Sequence, residues 1–312
     1  HLPTFKQVQE SRDEYVGPTD ESNWVIPGKL LVGAYPAEAS DSAHEERLSS
    51  ILACGVTTFV CLQSEYDHMC RDRAAWCEGK KIRPYIHDAH RICSTLSVKD
   101  KRVVSPEHLS FWHCPIMDCD VVSDEVTTRL ARALCWRLVA GDVIYLHCWG
   151  GHGRTGTIVA VMLGMLYKIS KAEALKRTQL YHDMRAYPLQ VPSPQTFSQR
   201  MQVLRVLDAV KDESGVLELY RKDRTTLTWK QSLGMEFMLP IEGQHQAACS
   251  RDIFDVCSKL ESGPLRPSTR SKRLKRCGSS SGKILPRPLQ PPSLTSASPS
   301  SRAKHNCLGH LR

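Results

Sequence analysis

One segment near the middle of the chain restricts the fold more than any other. Val143 to His147 is predicted to be a strand, and the turn from Cys148 to Gly156 carries glycines at positions 150, 151 and 153. The residues that follow, to near Lys168, are almost wholly apolar, which predicts a helix buried in the middle of a domain. A strand that leads through a tight turn into a buried helix favours an α/β architecture.

The rest of the chain alternates in the same way. The stretch 24–36 reads as an opening strand, and Ser42 with Glu45 forms a capping box for a helix that Gly55 ends. Strands are predicted at 57–62 and 111–116, and a helix begins at the cap Ser123 and ends at Gly141. Residues 64–108 are weakly periodic, so we expect a long surface excursion with short helices.

Two further helices complete the pattern. One is predicted from Ser170 to about Arg185, and the other has Ser193 as its cap and Pro194 at its first helical position, running to about Val210. We therefore predict an α/β fold with a central, mainly parallel sheet flanked by helices on both faces.

Charge is distributed very unevenly. The net charge of +9 comes from residues 262–312, which carry 11 Lys or Arg and no acidic residue, whereas residues 1–261 hold 31 basic and 33 acidic residues. The last segment is also rich in Ser and Pro, so we expect a disordered basic tail. Because the remainder is nearly neutral, we expect no nucleic-acid partner.

The chain lacks signs of export or membrane insertion. Its longest apolar stretch, Ile158–Tyr167, is too short to span a bilayer, and no secretory segment opens the sequence. Thirteen scattered cysteines do not form a paired framework, so we expect an intracellular, most simply cytoplasmic, protein. The basic tail leaves nuclear import open, and the oligomeric state is not indicated.

The glycine-rich turn has the chemistry of an anion site. Successive backbone N–H groups in such a turn, together with the positive end of the following helix, cup an anion and favour the thiolate of Cys148 at its base. Arg154, six positions on, carries a planar fork that binds two phosphate oxygens. This arrangement suits in-line phosphoryl transfer to sulfur, which needs no metal and no cofactor.

The segment His147-Cys-Trp-Gly-Gly-His-Gly-Arg-Thr-Gly156 resembles the signature of the cysteine-dependent protein tyrosine and dual-specificity phosphatases. The resemblance extends from about Trp24 to Val210. It implies a phosphatase-type domain at 21–212, preceded by an N-terminal extension at 1–20. Residues 213–261 form an extension of uncertain role, and 262–312 form the tail.

In this family a carboxylic acid on a loop about 30 residues before the cysteine protonates the leaving oxygen. Pro115-Ile-Met-Asp118 is similar to the Pro-Ile-x-Asp of the dual-specificity branch, so the resemblance implies Asp118 as the acid. Asp120 and Asp124 are the alternatives. Asp124 sits beside Ser123 and is better explained as favourable charge in the first turn of a helix.

The resemblance implies further roles around the nucleophile. His147 is a buried hydrogen-bonding residue, and the hydroxyl of Thr155 stabilises the departing thiolate. The turn residues that surround the phosphate are Trp149, Gly150, Gly151, His152 and Gly153, together with Arg154. Gln195 and Gln199 resemble the Gln-Thr-x-x-Gln element that positions the hydrolytic water, although a glutamine in the first turn of a surface helix is equally common.

Cys61 ends a predicted strand at a place where phosphatase-and-tensin-like relatives keep a cysteine that forms a reversible disulfide with the nucleophile. This residue is therefore a candidate redox partner of Cys148. A small buried core residue is the alternative interpretation.

Three functions remain open at this stage. The first is a metal-independent phosphatase for phosphotyrosine, phosphoserine and phosphothreonine proteins. The second is a phosphoinositide or inositol phosphatase, which only His152 and the basic residues Lys80, Lys81 and Arg83 support. The third is a catalytically silent phosphate-binding module, against which the presence of the nucleophile, the arginine and the acid argues.

Overall fold

The computed structural model describes residues 2–210. The uncertain extension at 213–261 and the tail at 262–312 lie outside the described residues. The described elements, in chain order, are α1 (Phe5–Glu10), α2 (Arg12–Tyr15), β1 (Ser22–Ile26), β2 (Leu30–Gly33), α3 (Asp41–Leu52), β3 (Thr58–Gln63), α4 (Arg73–Cys77), α5 (Ile86–Lys99), a 3-10 turn (Pro106–His108), β4 (Ser110–Ile116), α6 (Asp124–Ala140), β5 (Ile144–His147), α7 (Gly153–Tyr167), α8 (Lys171–His182) and α9 (Phe197–Val210).

The sheet has five strands in the order β1-β2-β5-β3-β4. β5 lies between β2 and β3 and is parallel to both, β4 is parallel to β3, and only β1 runs antiparallel to its neighbour. The predicted α/β fold with a mainly parallel central sheet is thus confirmed. Because parallel strands end at the same edge of a sheet, the segments that follow β2, β3, β4 and β5 converge there.

Successive residues of the strands face opposite sides of the sheet and build two cores. On one side, Leu31, Phe59 and Tyr145 pack with α3 and α5. On the other side, Val32, Val60 and Leu146 pack with α6, α7, α8 and α9. Helices therefore cover both faces of the sheet, as the alternating sequence pattern predicts.

The prediction of a single opening strand at 24–36 was wrong, because this part of the chain belongs to a hairpin of two strands, β1 and β2. Trp24 pairs with Leu31 across a turn at Pro27 and Gly28. Pro27 has no N–H to donate to a ladder, and Gly28 adopts a φ of +67°, which a glycine tolerates without strain.

Two helix starts also differ from the prediction. α3 begins at Asp41 with Ser40 as its N-cap, so Ser42 lies inside the first turn and no capping box forms at Ser42 and Glu45. The hydroxyls of Ser40 and Ser42 bond each other at 3.1 Å. α9 begins three residues after the predicted Pro194. Thr196 is placed before it, where its backbone N–H donates to the side chain of Gln199.

The segment 64–108 holds more structure than the short helices expected from sequence. α5 is 14 residues long and buries Ala89, Ile92 and Cys93 against α3. Its buried residues recur three or four positions apart, a helical spacing that the expectation of a weakly periodic surface excursion missed.

The predicted N-terminal extension contributes two buried residues to the core on the side of α6, α7, α8 and α9. These residues are Val8 of α1 and Tyr15 of α2. The ring of Tyr15 stacks on the ring of Tyr181 in α8, with ring centroids 5.4 Å apart. None of the helices within residues 2–210 combines the length and the apolar character needed to cross a membrane.

Candidate active site

The turn between β5 and α7 forms the floor of the site. Cys148 directly follows the central strand and is buried. Gly151 has a φ of +70°, and a Cβ there would lie 2.4 Å from the carbonyl oxygen of Gly33. Only glycine fits this close approach, which allows the turn to curl tightly above the end of β2.

Helix α7 begins immediately after the turn, and its residues from Gly153 to Met165 are all buried. Its N-terminal N–H groups and the positive end of its dipole therefore face the turn. The sheet, the turn and the helix together build an anion cup with a buried thiol at its base.

Arg154 is the most heavily bonded side chain of the site. Its Nη1 lies 2.8 Å from Oε2 of Glu65 and its Nη2 lies 3.0 Å from Oε1, which makes a bidentate pair. Nη1 also donates to the carbonyl oxygen of Ile116 at 3.0 Å, and Nη2 lies 3.0 Å from Oδ1 of Asp118. The arginine thus links the ends of β3 and β4 to the turn.

Glu65 was missed by the sequence analysis. It lies two residues beyond β3, the strand beside β5, and a carboxylate at that edge is the only signal that sequence offers. Partial burial raises the pKa of Glu65, but hydrogen bonds from Arg154, the backbone and Gln63, together with the charge of Arg154, outweigh this effect and hold the pKa below its ordinary value.

Of the three candidate acids, the structure brings Asp118 to the arginine. Its side chain is 72% exposed apart from that contact. The carboxylate of Asp120 accepts from the backbone N–H of Val121. Asp124 accepts from Arg205 and Gln202 of α9, at the first turn of α6, so it serves the packing of two helices.

His147 precedes the nucleophile and Thr155 follows Arg154, and both residues are buried. His147 is fully buried and its Nε2 lies 2.8 Å from the hydroxyl of Tyr85. Burial lowers the pKa of His147 to about 3, so the imidazole is neutral at physiological pH. The hydroxyl of Thr155 is buried and has no hydrogen-bond partner among residues 2–210.

His152 lies in the turn but brings no positive charge to it. Its Nδ1 is 2.7 Å from Nε2 of His182, and its carbonyl oxygen accepts from Ser193. Burial lowers the pKa of both His152 and His182 to about 3. The pair is therefore neutral at physiological pH.

Arg185 holds the turn from behind and was also missed by the sequence analysis, which placed it at the end of a helix. It is almost completely buried and donates to the carbonyl oxygens of Gly150 and Gly151 and to Oδ1 of Asn23, each at 2.9 Å. Burial lowers its pKa to about 10, so it stays charged at neutral pH. By binding loop carbonyls on the outside, it favours N–H groups on the inside.

Trp149 is the one turn residue with a large exposed side chain. Its indole stacks on Tyr35, with ring centroids 6.1 Å apart and planes at 21°. Its carbonyl oxygen accepts from the backbone N–H of Tyr35 at 2.9 Å. Tyr35 follows β2, so Trp149 lies on that side of the cup.

The two glutamines are placed differently. Gln199 is buried; its Oε1 accepts from the N–H of Gln195 and Thr196, and its Nε2 donates to the carbonyl oxygen of Asp120. A Cβ on Gly153 would meet the Gln199 amide at 2.7 Å, so this side chain lies against the turn. Gln195, by contrast, is exposed.

Cys61 is buried on β3, where it lies opposite His147 in the parallel register with β5. Burial raises the pKa of its thiol well above the ordinary value. Within residues 2–210, no group of three or more His, Cys, Asp and Glu side chains is arranged to hold a metal ion.

Comparison with known proteins adds an independent finding. A family model described as PTP-SAK, Swiss Army Knife protein, DSP-PTPase phosphatase domain, matches residues 19–214. Protein 197R of Invertebrate iridescent virus 6, which carries the name of a tyrosine phosphatase, is 29% identical over 154 residues, or 49% of this chain and 46% of that protein.

Protein 067L of Invertebrate iridescent virus 3, similarly named, is 49% identical over 45 residues, which are 14% of this chain and 19% of that protein. The chain thus spans about a fifth and about half of the lengths of these two relatives. The crystal structure of Tk-PTP in its active form shares 22% identity and a TM-score of 0.39, and the match covers 61% of this chain and 97% of that one.

Proposed function

The chain belongs to the PTP-SAK family of DSP-PTPase phosphatase domains, and from that premise we propose that it hydrolyses phosphate esters of phosphorylated proteins through a phosphocysteine on Cys148. The observation that carries this proposal is the meeting of Arg154 and Asp118, 3.0 Å apart, beside the glycine-rich turn that starts at the buried cysteine.

The first step is attack by the Cys148 thiolate on phosphorus. An S–P bond forms, the ester P–O bond breaks, and the leaving oxygen takes a proton from Asp118. The turn N–H groups and the end of α7 stabilise the negative charge on the phosphoryl oxygens. Arg185 supports this geometry, since it fixes the carbonyls of Gly150 and Gly151 on the opposite side.

The second step is hydrolysis of the phosphocysteine. Asp118, now a carboxylate, accepts a proton from water while the water oxygen attacks phosphorus and the S–P bond breaks. The unpartnered hydroxyl of Thr155 is available to donate to the departing thiolate. Gln199, which lies against Gly153, is the better placed of the two glutamines to orient this water.

The donors of Arg154 specify how phosphate enters. Glu65 and the carbonyl oxygen of Ile116 accept both protons of Nη1 and one of Nη2, and Nη2 also forms an ion pair with Asp118 at 3.0 Å. Nε has no partner in the part of the chain that the structure describes. A phosphate bound in bidentate fashion would use Nε and Nη2, so it would displace Asp118 from the arginine and leave that carboxyl beside the ester oxygen.

Two of the three basic residues that favoured an inositol phosphatase, Lys80 and Arg83, are already paired. Lys80 contacts Glu78, and Arg83 contacts Asp41 and Asp88. His152, which is neutral, adds no positive charge to the turn that could attract a multiply anionic headgroup. These pairings favour a phosphoprotein substrate.

The test is hydrolysis of aryl phosphates in excess EDTA by the full chain and by Cys148→Ser, Asp118→Ala and Asp120→Ala. We expect release that Cys148→Ser abolishes and that Asp118→Ala slows most for poor leaving groups. Asp120→Ala is the matched control and should retain activity, because the Asp120 carboxylate bonds its own loop.

Rapid denaturation during turnover should recover phosphate bound to Cys148. Absence of release by folded, reduced protein would contradict the proposal, and phosphate binding without turnover would then support the silent module. A parallel panel of inositol phosphates gives the third outcome, since hydrolysis of headgroups but not of phosphopeptides would replace the protein substrate by a lipid one.

A further inference from the structure

Trp149 directly follows the nucleophile in the chain, and its indole is exposed. The residue is 58% exposed, whereas Cys148 before it is buried. Single exposed apolar side chains are common on protein surfaces, so exposure alone implies nothing. The role of Trp149 is inferred from the contacts that hold its side chain and from the residues on the opposite side of the cup.

The indole rests on a rigid support. Its stacking partner Tyr35 is buried, and the Tyr35 hydroxyl donates to the carbonyl oxygen of Arg83 at 2.6 Å. Tyr35 also contacts the rings of Tyr85 and His147 edge-on. With the backbone bond from Tyr35 to Trp149 added, the indole is anchored at both its ring and its main chain, and little conformational freedom remains to be lost on binding.

The sheet order places this aromatic pair on one side of the cup. Tyr35 follows β2, on one side of the central strand β5, whereas Glu65 and Asp118 follow β3 and β4 on the other side. A phosphorylated side chain with its phosphate in the turn therefore enters with the acid loop on one side and the Trp149–Tyr35 stack on the other.

We propose that Trp149, supported by Tyr35, is the aromatic wall that makes this site favour phosphotyrosine over phosphoserine and phosphothreonine, an inference that rests on the proposed phosphatase function. In phosphotyrosine a planar ring is joined directly to the ester oxygen, and offset stacking of aromatic rings is favourable. Serine and threonine esters have no ring to offer, so they gain nothing from the wall.

The test compares two peptides of one sequence that differ only in carrying phosphotyrosine or phosphothreonine. We expect wild-type kcat/KM to be higher for phosphotyrosine, and Trp149→Ala to lower that value about three- to tenfold, the size of one aromatic contact. The loss should fall mainly on KM. Trp149→Phe should keep most of the preference, and the phosphothreonine value should stay within twofold.

Phe197→Ala is the matched control, because Phe197 is an aromatic residue outside the turn that is even more exposed, at 77%, at the start of α9. It should leave the ratio of the two peptides unchanged. An equal loss on both peptides in Trp149→Ala, no loss on either, or the same loss in Phe197→Ala would overturn the assignment of the wall to Trp149.

A binding measurement separates this inference from the proposed function. In the Cys148→Ser background, calorimetric titration with the same peptides should show tighter binding of phosphotyrosine, weakened by Trp149→Ala, even if turnover fails. If the wild-type protein hydrolyses neither peptide but this binding pattern is observed, the proposed phosphatase activity is contradicted, whereas the role of Trp149 in binding phosphotyrosine is supported. If Trp149→Ala weakened the binding of inositol phosphates and left the binding of the phosphotyrosine peptide unchanged, the proposed preference for phosphotyrosine would be overturned.

Discussion

The guanidinium of Arg154 is held by the carboxylate of Glu65, with Nη1 at 2.8 Å and Nη2 at 3.0 Å from its two oxygens. This pair fixes the plane of the arginine before any phosphate arrives and leaves Nε free of a bond to Glu65. Preorganised donors contribute to catalysis because they need not reorient during the reaction.

Replacing Glu65 should therefore impair phosphate handling although Glu65 does not touch the substrate. We expect Glu65→Ala to lower kcat/KM on aryl phosphate about tenfold to a hundredfold, since hydrogen bonds to charged groups contribute about 1.5–3 kcal/mol. Glu65→Gln should fall between Ala and wild type. Glu107→Gln, at an exposed residue, is the control, and wild-type kinetics in Glu65→Ala would refute the role.

The depressed pKa of Glu65 gives the same contact a defined pH dependence. Because the pKa in the folded state lies below the ordinary value of 4.5, the contact stabilises the fold fully above that value and loses its effect as pH falls through the folded pKa. Urea unfolding of wild type and Glu65→Gln should show a difference in stability at neutral pH that disappears in acid. A constant difference at every pH would contradict this.

Arg185 offers a second test, on a positioning residue. Lysine is shorter and lacks the fork, so Arg185→Lys cannot reach the carbonyls of Gly150 and Gly151 and the amide of Asn23 together. We expect weaker inhibition by vanadate and a fall in kcat/KM of about tenfold or more, in protein whose near-ultraviolet circular dichroism is unchanged.

Asn23→Ala removes only one of the three acceptors of Arg185 and should cost less. If Arg185→Lys is folded and binds vanadate as tightly as wild type does, the arginine is not needed to shape the cup. If Arg185→Lys fails to fold, Asn23→Ala still tests the role, since it should also weaken the binding of vanadate.

The pair of His152 and His182 predicts acid sensitivity. Burial holds both pKa values at about 3, below the ordinary 6.5, so the unfolded chain binds protons first as pH falls. Stability should therefore decline as pH drops from about 6.5 toward 3, and His182→Gln should make that decline shallower. Urea midpoints across this range measure it, with exposed His108→Gln as control; equal slopes in all three proteins would count against the pair.

Cys61 remains a predicted redox partner of Cys148. Peroxide would convert the Cys148 thiolate to a sulfenic acid, and attack by the Cys61 sulfur would form the S–S bond and release water, with peroxide taking up the two electrons. Peptide mapping after peroxide treatment should show this linkage, and Cys61→Ser should lose it.

Cys119 is the competing thiol, since it is exposed and its sulfur lies 3.8 Å from Oδ2 of Asp118. A Cys119–Cys148 disulfide in place of the Cys61–Cys148 disulfide would identify Cys119 as the redox partner of the nucleophile. Oxidation without any disulfide would remove both.

The sequence by itself determined those parts whose reasons are local. The strand, the turn and the buried helix around Cys148 follow from a glycine that must adopt positive φ and from an unbroken apolar run. Helix α6 could be predicted from Ser123, whose hydroxyl accepts from the N–H of Val126, and from Gly141, which ends the helix with a φ of +114°.

Only the tertiary structure decided which distant groups meet. Glu65 lies 89 positions before Arg154 and reaches it because β3 pairs with β5 in parallel register. The same convergence of strand ends brings Asp118 rather than Asp120 to the arginine, and the packing of α8 brings Arg185 behind the turn. Such contacts depend on sheet order and on burial, which no spacing along the chain encodes, because parallel strands join residues separated by whole crossover connections.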